Sequence, residues 1–373
     1  MASKPVLAFV TEAIRRDIHE PLRHFKDFEI VHFYFKAPYG DIGTKELEGG
    51  AVRAIKFDNA RHLYRKLTRL APAVIQGAEP YASKKALIFS FAAQKAARKV
   101  GAKFIFPMLE NRPPHTRFGV LSPLVKLILR LYCKKTDLIF VLNKGAQKNL
   151  LDVGVEKKKI VRALWGVWGV DTELFSPQKN GKEPKWQIPV ILYVGRLVEE
   201  KGIADILNAY EKVIDITPAH LVFVGTGPME CEVEKYRAGN RKKGKITLLG
   251  LRQQTDLPPL FRAATVSVYP SRTVPKWEEQ VGTVNLQALA CGTPVVSAQS
   301  GAIPEYIING KIGLLVPEKD PSALAKSLLT IINNKKRAKE LSRAGRKYAL
   351  AHYDSKKNIK RGEAIVSKLC YEK

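Results

Sequence analysis

Short apolar runs alternating with stretches of helical period restrict this chain's fold more than any other feature. Val6–Val10, Glu29–Phe35, Ala73–Gln76, Lys103–Pro107 and Leu138–Leu142 read as buried strands, with a return strand near Lys159–Leu164. Helical stretches lie between most of them, as in parallel sheets joined by crossover helices. The pattern breaks over Ser176–Trp186, where Pro177, Asn180, Gly181 and Pro184 stand among lysines and both periodicities stop. It then restarts. Pro189–Val194, His220–Val224, Ile246–Leu249, Val266–Tyr269, Val295–Ser297 and Gly313–Val316 read as strands, Ile203–Ile214 and Val284–Ala290 as helices, and Ser322–Tyr348 as one helical stretch. The expectation is an α/β chain with a first domain at 1–175, a linker at 176–187, a second domain at 188–350 and a terminal helical segment at 351–373. With 373 residues and 45% hydrophobic content the chain can bury two cores, at roughly 150 residues per domain.

Net charge is +28, and its distribution is uneven. Residues 51–150 hold 20 basic against 4 acidic side chains, a surplus of 16 in one hundred residues. That part should attract polyanions. No zinc-finger spacing, aromatic RNA-binding signature or helix-turn-helix accompanies the charge, so no nucleic-acid partner is expected. An anionic membrane surface or a phosphorylated acceptor fits better. Leu63–Leu70 and Leu121–Tyr132 combine basic and apolar residues at helical spacing, which suits either a headgroup-embedded helix or an ordinary core-facing one. Cys133, Cys231, Cys291 and Cys370 lie far apart without paired metal spacing, as expected of reduced thiols rather than disulfides or a zinc site. The apolar run at Val6–Val10 is too brief for a leader and far below the ~20 residues of a membrane span. The expected location is therefore cytoplasmic, with peripheral association at the inner membrane face as the refinement.

Chemistry concentrates in the second half. The strand Ile191–Val194 ends in Gly195-Arg196-Leu197, and a helix opens after Glu199-Glu200-Lys201-Gly202. Two cations thus straddle a strand-to-helix junction, where helix amides also point outward and favour a diphosphate. Further on come Pro270-Ser271-Arg272, Trp277-Glu278-Glu279-Gln280-Val281-Gly282-Thr283 and Gln287-Ala288-Leu289-Ala290-Cys291-Gly292-Thr293-Pro294-Val295-Val296. A carboxylate, a glycine turn, the first turn of a helix and an apolar strand within about thirty residues suit a sugar-nucleotide pocket. Gly282 permits close approach of a phosphate, and the amides of Thr283 and Val284 begin the next helix.

These residues resemble the donor-binding region of family 4 glycosyltransferases, which are retaining enzymes of the GT-B fold. Their pattern of two Glu separated by seven residues, then Ala-x-Ala-Cys-Gly-x-Pro-Val, is met by Glu279 at the first position and by Gln287 at the second, a departure that keeps diol bonding but loses charge. The resemblance implies that Glu279 holds sugar hydroxyls, that Arg196 and Lys201 hold the leaving diphosphate, and that Gly225, Gly227 and Arg252 border the nucleotide. In the first half, Glu79-Pro80-Tyr81-Ala82-Ser83 and Glu110-Asn111 look like acceptor-side elements of a family subgroup, with His115 as a rival contact. Thr11–Arg16 lacks the glycine loop common in the family. Trp165–Pro177 resembles its Gly-Val-Asp-x-x-x-Phe-x-Pro signature, giving Asp171 a turn role. The implied architecture is two Rossmann-like domains facing a central cleft, with the last helix crossing back to the first domain. The implied activity is transfer of a sugar from a nucleoside diphosphate sugar to a lipid-linked, polysaccharide or other anionic acceptor, without cofactor. The chain contains no Asp-x-Asp, so metal independence is expected. Other readings are a non-catalytic sugar-nucleotide-binding subunit, a nucleic-acid binder, or a GT-B epimerase or phosphorylase.

Overall fold

A computed structural model describes residues 4–37, 42, 47, 50–178, 183–239 and 245–371. The chain forms two compact units. One runs to Gly169 and takes the chain back from Ser355 onward, and the other is Val170–Asp354. Of the expected linker, Asn180 and Gly181 lie outside the described residues.

In the first unit seven parallel strands form one sheet: β1 (Val6–Ala13), β2 (Glu29–Lys36), β3 (Arg53–Lys56), β4 (Val74–Gln76), β5 (Lys103–Met108), β6 (Leu138–Val141) and β7 (Ile160–Arg162), in the order β3-β2-β1-β4-β5-β6-β7. Because side chains alternate across a strand, β1 serves two cores. Ala8 and Val10 join the cluster built with α1 (Ala60–Leu70), α2 (Lys84–Val100), α3 (Ser122–Lys134) and α4 (Lys144–Asp152), while Leu7 and Phe9 join Trp165 and Trp168 on the opposite face. Local sequence sets where the helices start. Asn59, Ser83 and Asn143 accept hydrogen bonds from the amides of His62, Ala86 and Ala146 at 2.9, 3.0 and 2.7 Å, and Gly101 ends α2 in the left-handed conformation.

The C-terminal helix, Ser355–Tyr371, belongs to this unit, as the sequence suggested. Its Ile359 and Val366 enter the tryptophan cluster, and the Glu363 carboxylate accepts from the Lys26 and Asp27 amides at 2.7 Å each. Trp165 stacks on Phe140 at 4.3 Å between centroids and donates its indole N–H to Gln76. Gly362 lets the helix lie against that ring, since a Cβ there would sit 2.5 Å from Trp165.

The second unit holds six parallel strands, β8 (Val190–Val194), β9 (His220–Val224), β10 (Lys245–Leu248), β11 (Val266–Tyr269), β12 (Val295–Ala298) and β13 (Leu314–Val316), in the order β10-β9-β8-β11-β12-β13. Helices α5 (Ile203–Ile214), α6 (Glu230–Gly239), α7 (Leu257–Ala263), α8 (Thr283–Ala290), α9 (Pro321–Asn333) and α10 (Lys335–His352) connect or flank them. The single helical stretch expected over Ser322–Tyr348 is two helices. Asn334 separates them, its side chain accepting from the Arg337 amide at 2.9 Å to start α10.

Both sheets are wound outward in two directions from their first strand. The reversal falls between β1 and β4 in one unit and between β8 and β11 in the other. In such sheets the crevice beyond the carboxyl ends of those strands is the natural ligand site.

Candidate active site

At the reversal in the second unit, β8 gives way to Gly195 and then to a 3₁₀ turn, Glu199–Lys201, closed by Gly202. Gly202 has φ +72°, and a Cβ there would lie 2.0 Å from the Pro270 carbonyl oxygen. Only glycine tolerates both the conformation and that approach. The loop after β8 is thereby pressed against the loop after β11. The Arg272 amide donates to the Glu200 carbonyl at 2.8 Å, and its guanidinium grips the buried Asp205 carboxylate at 2.7 and 2.6 Å. This bidentate pairing holds both loops in register.

Lys201 and Glu279, 78 positions apart, meet across this junction. The Lys201 ammonium donates to Glu279 Oε1 at 2.5 Å, and Ser271 Oγ donates to the same oxygen at 2.9 Å. The ammonium also lies 4.2 Å from the centroid of the Trp277 ring. Glu279 is fixed through its backbone as well. Its carbonyl accepts from the Ala302 amide at 2.8 Å, and Gly301 passes so close that a Cβ would be 2.2 Å from that oxygen. Glu318 secures the same loop, accepting from the amide and hydroxyl of Thr273 at 2.7 and 2.6 Å.

Three residues on, Gly282 has φ +70° and precedes α8, and it brings no side-chain cap. The amides of Thr283 and Val284 therefore open the helix beside the carboxylate, an arrangement suited to phosphate oxygens. Gln287 is half-buried one turn into α8, on the same helix face as Thr283. Gly225 and Gly227 form a backbone wall: Cβ atoms there would lie 2.0 Å from the Gly195 carbonyl oxygen and 2.3 Å from that of Leu197. Arg196 stands apart from the Glu279 cluster. Its side chain is 62% exposed and pairs with Glu200 at 3.4 Å. Arg252 is exposed on the loop after Gly250.

In the first unit Glu79 is half-buried and its carboxylate accepts from the Leu109 and Glu110 amides at 2.8 Å each. Burial pushes its pKa up to about 7 against those bonds and the Arg117 charge. Glu110 is 1% exposed and engaged by two guanidinium groups, Arg112 at 2.9 Å through Nε and Nη2, and Arg117 through Nη1. The carboxylate expected on the acceptor side is thus closed in by arginines. Asn149 bonds the carbonyls of Glu110 and Arg112 at 3.1 and 2.9 Å, tying this turn to α4. Asn111 is buried beside the pair, whereas His115 is exposed on the short helix Pro114–Phe118.

Sequence reasoning passed over Ser271, Trp277, Asp205 and Arg272. Ser271, Trp277 and Arg272 sit within the segment that carried the donor signal, but nothing in their spacing tells that the first two converge on Glu279 and Lys201. Among the described residues no cluster of three or more metal-ligating side chains occurs, and no helix is long and apolar enough to cross a membrane.

Residues 175–348 match the family model described as glycosyl transferases group 1. That stretch, most of the second unit, is similar to the group 1 glycosyl transferases. Beyond it, similarity extends to sulfoquinovosyl transferase SQD2 of Arabidopsis thaliana, 26% identical over 295 residues, covering 75% of this chain and 54% of that protein. A GDP-mannose-dependent alpha-(1-6)-phosphatidylinositol monomannoside mannosyltransferase of Mycolicibacterium smegmatis is 28% identical over 194 residues, 50% of this chain and 51% of that protein. The chain thus spans about half the length of these curated relatives. A crystal structure of HepE from Anabaena in complex with UDP superposes with a TM-score of 0.76 at 17% identity, over 97% of this chain and all of that one. The fold is that of GT-B glycosyltransferases, and the Glu279–Lys201 cluster lies within the matched residues 175–348.

Proposed function

We propose that this protein is a retaining glycosyltransferase that moves a hexose from a nucleoside diphosphate sugar to a lipid-linked, polysaccharide or other anionic acceptor. The observation that carries the reading is the meeting of Lys201 and Glu279 at the reversal of the second sheet, beside the uncapped start of α8. A relative named for a nucleotide sugar and a fold neighbour bound to UDP support it.

In the proposed reaction the acceptor oxygen bonds to the anomeric carbon as the bond to the β-phosphate oxygen breaks, and that oxygen takes the electron pair. The acceptor proton passes to a phosphate oxygen on the same face of the sugar. Lys201, Arg196 and the amides of Thr283 and Val284 stabilise the charge growing on the diphosphate, more in the transition state than in the ground state. Glu279 accepts from sugar hydroxyls and orients the ring. Gln287 takes the ribose diol by neutral hydrogen bonds. Gly225, Gly227 and Arg252 line the nucleotide, while the first unit receives the acceptor near Glu79, Asn111 and His115. No metal or cofactor is assigned, and the protein works peripherally at the cytoplasmic membrane face.

Donor turnover against a panel of nucleoside diphosphate sugars tests this. Lys201→Met and Glu279→Gln should each lower it by ~100-fold or more, with the folded state retained. Unchanged turnover in both would remove the site. A second reading, a non-catalytic binding subunit, draws on Gln287 and on the glycine-free Thr11–Arg16 segment. It is favoured if a nucleotide sugar raises thermal stability with neither hydrolysis nor transfer.

A further inference from the structure

Helix α3 is unusual in which side chains it leaves in water. Leu124, Leu127 and Leu131 are 56%, 52% and 51% exposed, and Val120 and Leu121, just ahead of the helix, are 96% and 59% exposed. Spacings of three and four place the three helical leucines on one stripe. The opposite side of α3, with Leu129, Tyr132 and Cys133, is buried in the core. The leucine stripe is therefore additional to what packing requires.

The neighbouring helix extends the surface. Tyr132 of α3 meets Phe91 of α2 edge to face at 5.1 Å, and its carbonyl accepts from Gln94 at 3.0 Å, so the helices are locked together. Beside that contact Phe91 and Ile88 are 41% and 55% exposed. Of the large apolar side chains that stand out in solvent, these seven fall on two adjacent helices and the turn that leads into one of them. A cavity of about 260 Å³ between the helices, lined by Pro80, Leu87, Phe118, Val125 and Ile128 with Tyr81, continues the apolar character inward. The Tyr81 hydroxyl has no hydrogen-bond partner among the described residues.

Charge selects the occupant. From residue 80 to 136 there are twelve Lys and Arg and one carboxylate, Glu110, which is buried and paired with arginines. This segment therefore offers no exposed negative side chain. Lys126, Arg130 and Lys134 run at four-residue intervals beside the leucine stripe. A second copy of this chain would bring the same cations against them. A sheet of hydrocarbon beneath a layer of negative headgroups satisfies both stripes together.

We propose that the α2–α3 face docks on an anionic lipid bilayer, Leu121, Leu124, Leu127 and Leu131 entering the acyl region and Lys126, Arg130 and Lys134 resting among the headgroups. The inference rests on the proposed function only in its reading of the acceptor as membrane-borne, and it names the surface that would bring this protein to that acceptor.

The full chain is sedimented with vesicles of phosphatidylcholine alone and with vesicles also containing phosphatidylglycerol, at low and high salt. Binding should require phosphatidylglycerol and weaken with salt. Lys126→Ala/Arg130→Ala/Lys134→Ala should weaken it on the order of 100-fold, at roughly fivefold per cation. Leu124→Gln/Leu127→Gln/Leu131→Gln, all at exposed positions, should abolish sedimentation. Both variants should keep the thermal stabilisation given by the donor sugar nucleotide. Vesicle binding that is absent in the wild type, or unaltered in both variants, overturns the proposal. So does a leucine variant that converts a dimer to a monomer while still sedimenting with vesicles. Vesicle binding without stabilisation by any nucleotide sugar instead leaves this surface standing and removes the donor site.

Discussion

Gly202 faces the Pro270 carbonyl oxygen across a gap that no side chain fits, a Cβ on Gly202 lying 2.0 Å from that oxygen. This approach brings the turn carrying Lys201 under the segment carrying Glu279. It converts a feature of backbone geometry into a chemical one. Gly202→Ala must leave the left-handed region or push β11's outgoing loop away, and either movement separates the ion pair. The substitution should cost about 1–3 kcal/mol of stability and lose most of the thermal shift given by the donor. A melting curve with and without nucleotide sugar reads both, and a wild-type donor response in Gly202→Ala would break the link between this contact and the site.

Lys201 and Glu279 should behave as one unit. Each is part-buried, with side-chain exposures of 20% and 12%, and they share an oxygen with Ser271. Removing one takes away the ion pair that both share, so single losses overlap. In a cycle of Lys201→Met, Glu279→Gln and the double variant, the coupling in turnover should be about 1–3 kcal/mol. Purely additive losses mean that the two side chains act on the substrate separately.

The elements that were readable from sequence are those whose pattern is set by burial on both faces. β1, with Leu7 through Val10 wholly inaccessible, is a continuous apolar run. β3 escaped because it is an edge strand, Arg-Ala-Ile-Lys, with exposed charged ends. α6 escaped because only Val233 of it is buried, leaving no apolar stripe to find. In the site, residue types close in sequence were legible: Gly195 to Gly202 as a strand-to-helix junction, Gly282 as a helix start. Their meeting was not, because Lys201 and Glu279 are brought together by the β8–β11 pairing and the loop contacts beyond it, long-range events that local periodicity does not encode. The enclosure of Glu110 was not legible for a related reason. A Glu at a strand end looks the same in sequence whether open to a substrate or enclosed by Arg112 and Arg117.

Glu110 therefore predicts a stability effect first. Its carboxylate compensates two guanidinium groups, one of them, Arg112, only 9% exposed. Glu110→Ala strands those charges and should cost about 3–5 kcal/mol, seen as a lower denaturant midpoint. Donor-induced stabilisation, which belongs to the second unit, should persist in the fraction that folds. A variant with unaltered stability but no transfer to acceptor would instead give the carboxylate a direct catalytic part.

Buried histidines set the acid limit. His19 and His32 touch through their Nδ1 atoms at 2.9 Å, and His32 Nε2 meets Thr11 Oγ1 at 2.8 Å. Such a contact needs one ring to donate and the other to accept, which two imidazolium ions cannot do. Burial lowers the His19 pKa to about 4 and, with the nearby His19, holds His32 well below its usual range. His220 in the second unit, bonded to Thr247 at 2.8 Å, is likewise lowered to about 4 by burial. The unfolded chain takes up these protons near pH 6.5, so between there and about pH 4 it binds more protons than the native state. Stability should be fully present above pH 6.5 and fall progressively as pH drops toward 4. Denaturant midpoints measured from pH 7.5 to 4.5 check the slope. His19→Gln should be less stable at pH 7.5 yet show a shallower decline, and a decline of wild-type steepness in that variant would place the acid sensitivity elsewhere.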